Sequence, residues 1–230
     1  MHTANFVCLA NSRKHKGRCV AGKALHNGTF TKWIRPITTH PSEELQAKEH
    51  RLQTGQDAAI LDLINITLIE PRGKLHQQEN WLMDVSVPLK KVGTVTVEEV
   101  SQVIDSPPSL WGVGFSSKNS INDFVPASEI QKFDCSLFLV EIDNLIVQIV
   151  EETYPYVRKV MSGSFSYKGN TYKLKITDPV FENKFGDRPV GDYEIEKTLL
   201  TISLGENFKD NFYKLIAGII PITYGKKWSS

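Results

Sequence analysis

The stretch GRCVAGKALHNGTFTKWIRP, residues 17–36, decides the fold. Arg18–Leu25 and Thr29–Ile34 are rich in β-branched and aromatic residues and read as two strands. Asn27-Gly28 between them is the pair that a type I′ turn favours, because both central residues need positive φ. Pro36 is expected to end the hairpin, since it has no N–H to give to a ladder. The same stretch imitates a phosphate-binding loop, Gly17-x-x-x-x-Gly22-Lys23-Ala24, with Ala24 where a Ser or Thr would hold Mg²⁺. Such a loop follows an apolar strand and opens a helix, whereas basic residues precede this one and hairpin residues follow it. It is therefore read as strand, and Gly22 as a bulge or a point of close backbone approach.

Working outward, Val7–Ala10 is an earlier strand, and Ser42–His50 is expected to be a short helix capped by Ser42. Ala58–Ile69 reads as a long strand stopped by Glu70-Pro71. Thr96–Val103 is a helix with a capping box from Thr96 and Glu99, closed by Pro107-Pro108. Ser106–Asn122, rich in Ser, Gly and Pro, is a linker or surface loop. The second half starts with a strand at Phe138–Ile142. Ser162–Tyr167 and Thr171–Thr177 form a hairpin about Lys168-Gly169-Asn170, and Asp178-Pro179 ends it. A polar loop through Phe185–Asp192 and a strand at Thr198–Leu204 follow. Hairpin, x-Pro stop, polar loop and apolar strand thus occur twice, which points to two copies of one small β-barrel. The boundaries are 1–105 for the first, 106–132 for the connection and 133–230 for the second. Leu215–Ile220 suits either a buried strand or, as preferred here, a short helix.

A 230-residue chain with 40% hydrophobic and 23% charged residues describes an ordinary globular protein with a real core. Its apolar run Ile60–Ile69 is broken by Asp62, Asn65 and Thr67, and nothing approaches the roughly 20 residues needed to cross a bilayer. The opening Met-His-Thr-Ala-Asn lacks a basic start followed by an apolar run, so no secretory signal is expected. Three cysteines without Cys-x-x-Cys spacing are expected to be free thiols in a reducing compartment, so a cytoplasmic protein without a membrane partner is expected.

Charge is segregated. The first forty-two residues hold seven Lys or Arg and no Asp or Glu, in a chain of net charge +1. A second acid-free window, Thr153–Thr177, carries Arg158, Lys159, Lys168, Lys173 and Lys175 among Tyr154, Tyr156, Phe165, Tyr167 and Tyr172. Cations beside rings suit a polyanion with flat bases. The candidate nucleic-acid-binding residues are Arg13, Lys14, Lys16, Arg18, Lys23, Lys32 and Arg35 in the first window. In the second they are Tyr167, Lys168, Tyr172, Lys173 and Lys175. Alternatives stay open for several. Trp33 is core or a stacking platform, and Arg35 holds a phosphate or an internal carboxylate such as Asp62. Phe165 and Tyr167 share one face, either core or a base-stacking surface on which each base contributes on the order of 1–3 kcal/mol.

For enzyme chemistry the chain offers little. Six histidines show no His-x-x-x-His helix and no Cys/His cluster, so no metal is expected. His76 and Glu79 lie near Gln77, Gln78 and Asn80 without a nucleophile, and no Gly-x-Ser-x-Gly elbow occurs. No catalytic residue and no cofactor is assigned, and a non-enzymatic protein is expected.

Lys14-His15-Lys16-Gly17-Arg18-Cys19-Val20-Ala21-Gly22, then Trp33-Ile34-Arg35-Pro36 and Ile60-Leu61-Asp62, resemble prokaryotic proteins built on a dual OB-fold domain. Tyr167-x-Gly169-x-x-Tyr172-x-Leu174-x-Ile176-Thr177-Asp178-Pro179 and Leu200-Thr201-Ile202-Ser203-Leu204-Gly205-Glu206 are similar to its second half. The resemblance spans nearly the whole chain. It implies an all-β, β-rich fold of two OB-like small β-barrels in tandem with a few short helices. It also implies nucleic-acid binding, to RNA or DNA, within bacterial defence or conflict systems. A second reading is a protein-interaction adaptor or regulatory subunit with a protein partner in a larger complex. It is motivated by the acidic balance of residues 43–230 and the loop Trp111–Phe115.

Overall fold

The computed structural model describes residues 1–153 and 157–222. They form two compact units, Met1–Val103 with Ile130–Leu137, and Ile104–Glu129 with the chain from Phe138 onward. Residues 106–132 are thus divided between the units.

The first unit contains β1 (His2–Lys14), β2 (Gly17–His26), β3 (Thr29–Ile37), β4 (Asp62–Pro71), β5 (Asn80–Met83), β6 (Lys90–Thr94) and the short helix α1 (Val97–Ser101). The strands run in the order β1-β2-β3-β5-β4, and β4 pairs again with β1, so five strands close a barrel. Its β3–β5 pair is parallel and the others are antiparallel. This is the Greek-key barrel of the OB fold. Closure demands length of β1: its first half pairs with β4 and nearly all of it with β2. Phe6, Cys8, Val20, Ile34, Leu45, Ile64 and Leu68 fill the interior.

The hairpin forms as its turn chemistry demands, with Asn27 at φ 49° and Gly28 at φ 78°. The stretch that imitates a phosphate loop is strand β2 throughout. Gly22 lies opposite Cys8, beside a bulge in β1, and a Cβ there would collide with the Val7 carbonyl oxygen and the Phe6 ring. Thr96 caps α1, accepting from the Glu99 amide at 3.2 Å while the Glu99 carboxylate accepts from the Thr96 amide at 2.8 Å.

Of the expectations for this unit, the hairpin stop holds and two are corrected. The hairpin ends before Pro36, although β3 itself runs on to Ile37 beside β5. The β2 pairing stops at Ile34, so no neighbour asks for a donor from Pro36, and Arg35 supplies the bond to β5 through Glu79. Ser42–His50 is not helical. Leu45 is wholly buried and exchanges two backbone hydrogen bonds with Arg18, at 2.8 and 2.9 Å, which holds it in an isolated β-bridge between two turns. The strand expected from Ala58 begins at Asp62, after Leu61 at φ 73°, and ends at Glu70-Pro71 as expected.

The second unit contains β7 (Phe124–Pro126), β8 (Leu137–Ile142), β9 (Leu145–Glu152), β10 (Arg158–Tyr167), β11 (Asn170–Ile176), α2 (Pro179–Gly186), β12 (Gly191–Ile195), β13 (Thr198–Phe208) and β14 (Asn211–Pro221). Its sheet runs β12-β9-β10-β11-β14-β13-β8, with β7 beside β14. β11 and β14 are parallel. The path β9-β10-β11-β14-β13 therefore repeats β1-β2-β3-β5-β4, the second copy that the sequence order implied. β8 stands at one end of the sheet yet leads through Asp143-Asn144 directly into β9, near the other end. Three residues span at most about 11 Å, so the sheet curls back on itself.

Two further corrections concern this unit. Asp178-Pro179 ends the hairpin by opening a helix: Asp178 accepts from the amides of Val180 and Phe181 at 3.0 and 3.1 Å, and Pro179 needs no donor at N1. The stretch read as a polar loop thus overlaps the end of α2 and the start of β12. Leu215–Ile220 is strand, not helix. It lies within β14, and Leu199, Leu200 and Thr201 of β13 pair with Ile220, Ile219 and Gly218. Burial on both faces removes the alternation that marks a strand, and the residual spacing looks helical.

We expect Gly22→Ala to destabilise the protein by about 3 kcal/mol in thermal or urea unfolding, because the displaced atoms are backbone. Gly186→Ala, whose Cβ would meet nothing within 4 Å, is the neutral or slightly stabilising control.

Candidate nucleic-acid interface

In the first unit, β1 and β2 are joined at Lys14-His15-Lys16-Gly17, with His15 at φ 49°. Arg13, His15 and Lys16 are exposed, and Lys14 and Arg18 half-buried. Gly17 lets the segment at Glu44-Leu45 lie directly against the base of the hairpin, where a Cβ would strike it. Glu44 is the acid that tertiary structure brings to this basic hairpin. A hydrogen bond from Ser42 chiefly holds its carboxyl below the usual range, against the opposing effect of burial, and the charges of His15 and Lys14 add to the lowering.

The other first-window candidates part company. Lys32 is exposed on β3 near Ala24, roughly 20 Å along β2 from Arg18 at 3.3 Å per residue. Lys23 is buried. Its ammonium donates to the Val103 carbonyl at 2.6 Å and lies 5.4 Å from the Trp33 ring centroid. Trp33 itself is half-buried. Arg35 is buried against Glu79 at 3.1 Å and donates to the Asn80 side-chain oxygen at 3.3 Å, while the Ser136 hydroxyl donates to the same Glu79 oxygen. Of its two readings the internal carboxylate holds, and it is Glu79. Asp62 pairs instead with Lys91.

In the second unit Tyr172 is fully buried, stacked on Phe165 at 5.6 Å, and its hydroxyl accepts from the Leu110 amide at 3.2 Å. Tyr167 is 7% exposed and donates to the Pro107 carbonyl at 2.9 Å. Burial pushes both phenols up. These rings belong to the core face, because they point inward with Leu174 and Ile176 while Lys173 and Lys175 point outward. Lys168 and Lys175 are exposed, and Lys173 donates to Gln148 at 2.7 Å. Beyond Gln148 the sheet brings in Asp192, so the acid-free window acquires an acid in space. Arg158 pairs with Glu152 at 2.7 Å, and Lys159 donates to the carbonyls of Gly186 and Arg188. Tyr154 and Tyr156 lie outside the described residues.

Sequence reasoning missed Lys214. It is 1% exposed on β14, donates to the Gly112 carbonyl at 2.8 Å, and lies 5.5 Å from the Tyr172 ring centroid. Burial pushes its ammonium down to about 8, and the nearby Asp123 opposes that shift. Tyr167, Tyr172 and Lys214 thus tether Pro107, Leu110 and Gly112 of the loop 107–123. The signal was present: a lone lysine inside the apolar run Phe212–Ile220.

The model of a dual OB-containing domain matches residues 4–219. The chain belongs to this family. No curated protein and no solved structure matches it. The dual OB domain accounts for both strand orders and for the repeated parallel pair. Among the described residues, no group of His, Cys, Asp and Glu is arranged to hold a metal, and no helix is long and apolar enough to cross a membrane.

Glu79→Ala leaves the Arg35 charge buried without its carboxylate, and a loss of about 3–5 kcal/mol is expected in urea unfolding. The double variant Arg35→Met/Glu79→Leu should lose much less. For Lys214 the sign follows from its depressed value. An unfolded lysine titrates near 10.5 and this one at about 8, so the relief of its burial cost is full above 10.5 and lost as pH falls through 8. Stability should therefore rise by up to about 3 kcal/mol between these limits, relative to Lys214→Met, measured as the difference between the two urea-unfolding free energies at each pH.

Proposed function

We propose that the protein is a non-enzymatic nucleic-acid-binding module whose first OB unit contacts phosphates through the β1–β2 hairpin. One observation carries this reading: Arg13, Lys14, Lys16 and Arg18 converge on the connection between the first two strands, with Arg13 and Lys16 exposed. That connection is one of the two loops that OB folds use to hold oligonucleotides. Lysines and arginines on a hairpin neutralise phosphates without a preformed pocket, and a single strand follows the contour of the barrel. Lys168 and Lys175 of the second unit offer further exposed cations. Cys8, Cys19 and Cys135 form no disulfide with one another, which supports a reducing, cytoplasmic setting.

Fluorescence anisotropy with labelled single-stranded RNA and DNA tests this. Four phosphates neutralised by the hairpin predict a slope of log affinity against log salt of about −3, at roughly −0.7 per phosphate on single strands. Arg13/Lys14/Lys16→Glu should abolish binding at moderate salt. Salt-independent affinity, or no affinity for either polymer from the folded protein, would move the reading to a protein-binding adaptor.

A further inference from the structure

Four aromatic rings form a row in the second unit that lies outside both basic windows. Phe115, on the loop 107–123, meets Phe124 of β7 at 5.9 Å between ring centroids. Phe124 meets Tyr213 of β14 at 5.8 Å, and Tyr213 meets Phe208, at the end of β13, at 6.4 Å. The rings are tilted by 39° to 58°, so they are not stacked tightly on one another. Phe208 is 60% exposed and Phe115 39%, while Phe124 and Tyr213 are half-buried. The core rings Phe165 and Tyr172 are buried, by contrast. A contiguous row of rings at the surface, exposed at both ends, is a candidate binding surface.

The row is held firmly. Tyr213 and Phe124 are partners in the β14–β7 register. The loop bearing Phe115 is tied down by the buried Tyr167, Tyr172 and Lys214. Asn122 adds a hydrogen bond to the Thr171 carbonyl at 2.9 Å and accepts one from the Gly114 amide. The charge around the row is nearly balanced. Lys118 is exposed on the loop, and the Lys209 ammonium lies 5.4 Å from the Phe208 ring centroid. Asp210 follows Lys209 in the turn, and Glu206 precedes Phe208 on β13. Such a surface suits flat rings better than phosphates. Every base has a π face, whereas a duplex spends those faces on its own stack.

We propose that Phe115, Phe124, Tyr213 and Phe208 form a stacking track for the bases of single-stranded nucleic acid. The track deepens the function proposed above and rests on it. The hairpin of the first unit supplies charge, and the row supplies stacking that tolerates any base. Lys209 and Lys118 accompany the phosphates at the ends of the row.

The test uses fluorescein-labelled oligothymidylate of about 20 nucleotides and the same oligomer with most bases replaced by abasic sugars. Wild-type protein should bind the abasic strand at least roughly ten-fold more weakly. Phe208→Ala and Phe115→Ala should weaken oligothymidylate by a similar factor, with the salt slope unchanged because no charge is removed. The double variant should discriminate little between the two strands, which general unfolding would not produce. Val180→Ala, also 64% exposed in this unit, should match wild type. Retained discrimination in the double variant overturns the track while leaving nucleic-acid binding intact. Absence of binding by the wild-type protein overturns both, and the row then belongs to a protein partner.

Discussion

Closure of the first barrel depends on one close approach, that of Gly22 in β2 to the Val7 carbonyl of β1. β1 must serve two neighbours at once, β4 along its first half and β2 along most of its length. A strand with partners on both sides has no freedom to yield to a side chain, so the bulge after Cys8 and the missing Cβ of Gly22 work together. The hydrophobic residues inside, Phe6, Val20, Ile64 and Leu68 among them, gain their burial only because the ring of strands closes around them. The hairpin that carries the exposed cations is an extension of these same two strands. Its position therefore follows from barrel closure and from the segment Glu44-Leu45 that packs and hydrogen-bonds against its base.

Cations in this chain divide into two populations that composition cannot distinguish. Lys23, Arg35 and Lys214 are buried and bonded to carbonyls or a carboxylate, each joining segments far apart in sequence. Arg13, Lys16, Lys32, Lys168 and Lys175 are exposed. A buried ammonium or guanidinium needs partners with good geometry, which fixes the segments that supply them. An exposed one keeps its hydration and its reach, and so remains able to meet a polyanion. Lys214 belongs to the first kind. Together with Tyr167 and Tyr172 it converts a loop rich in Ser, Gly and Pro into an ordered element.

The two proposed surfaces rest on different physics. On the first, charge collected on a hairpin acts over a Debye length and weakens with salt. On the second, rings at the surface act only in contact and are indifferent to salt. A dual OB domain with both would gain encounter rate from one unit and contact area from the other. The charge segregation so plain along the chain is blunted in space by Glu44 beside the first hairpin and Asp192 on the sheet of the second. Arg13, Lys16 and Lys168 nevertheless lie at or beside hairpin turns, where chain reversal keeps them far from the core. Lys32 and Lys175 are exposed along strands β3 and β11.

By itself the sequence determined the elements whose causes are local. Asn27-Gly28 made a hairpin because its turn needs positive φ at both positions, and Thr96 with Glu99 made a helix start because their reciprocal bonds span three residues. The repeated order of hairpin, Pro and apolar strand was legible for the same reason, and with it the duplication of the barrel. Half of the candidate site was legible too, in the run Arg13–Arg18. Only tertiary structure decided what depended on distant partners. Leu45 was drawn out of a helix by Arg18, and β14 became a strand because β13 and β11 flank it. Arg35 turned inward to Glu79, and Tyr172 became core while Phe208 stayed outside. A residue's type sets which contacts it can make, but which face of a closed barrel it occupies depends on register across the whole sheet, and one step of register exchanges inside for outside.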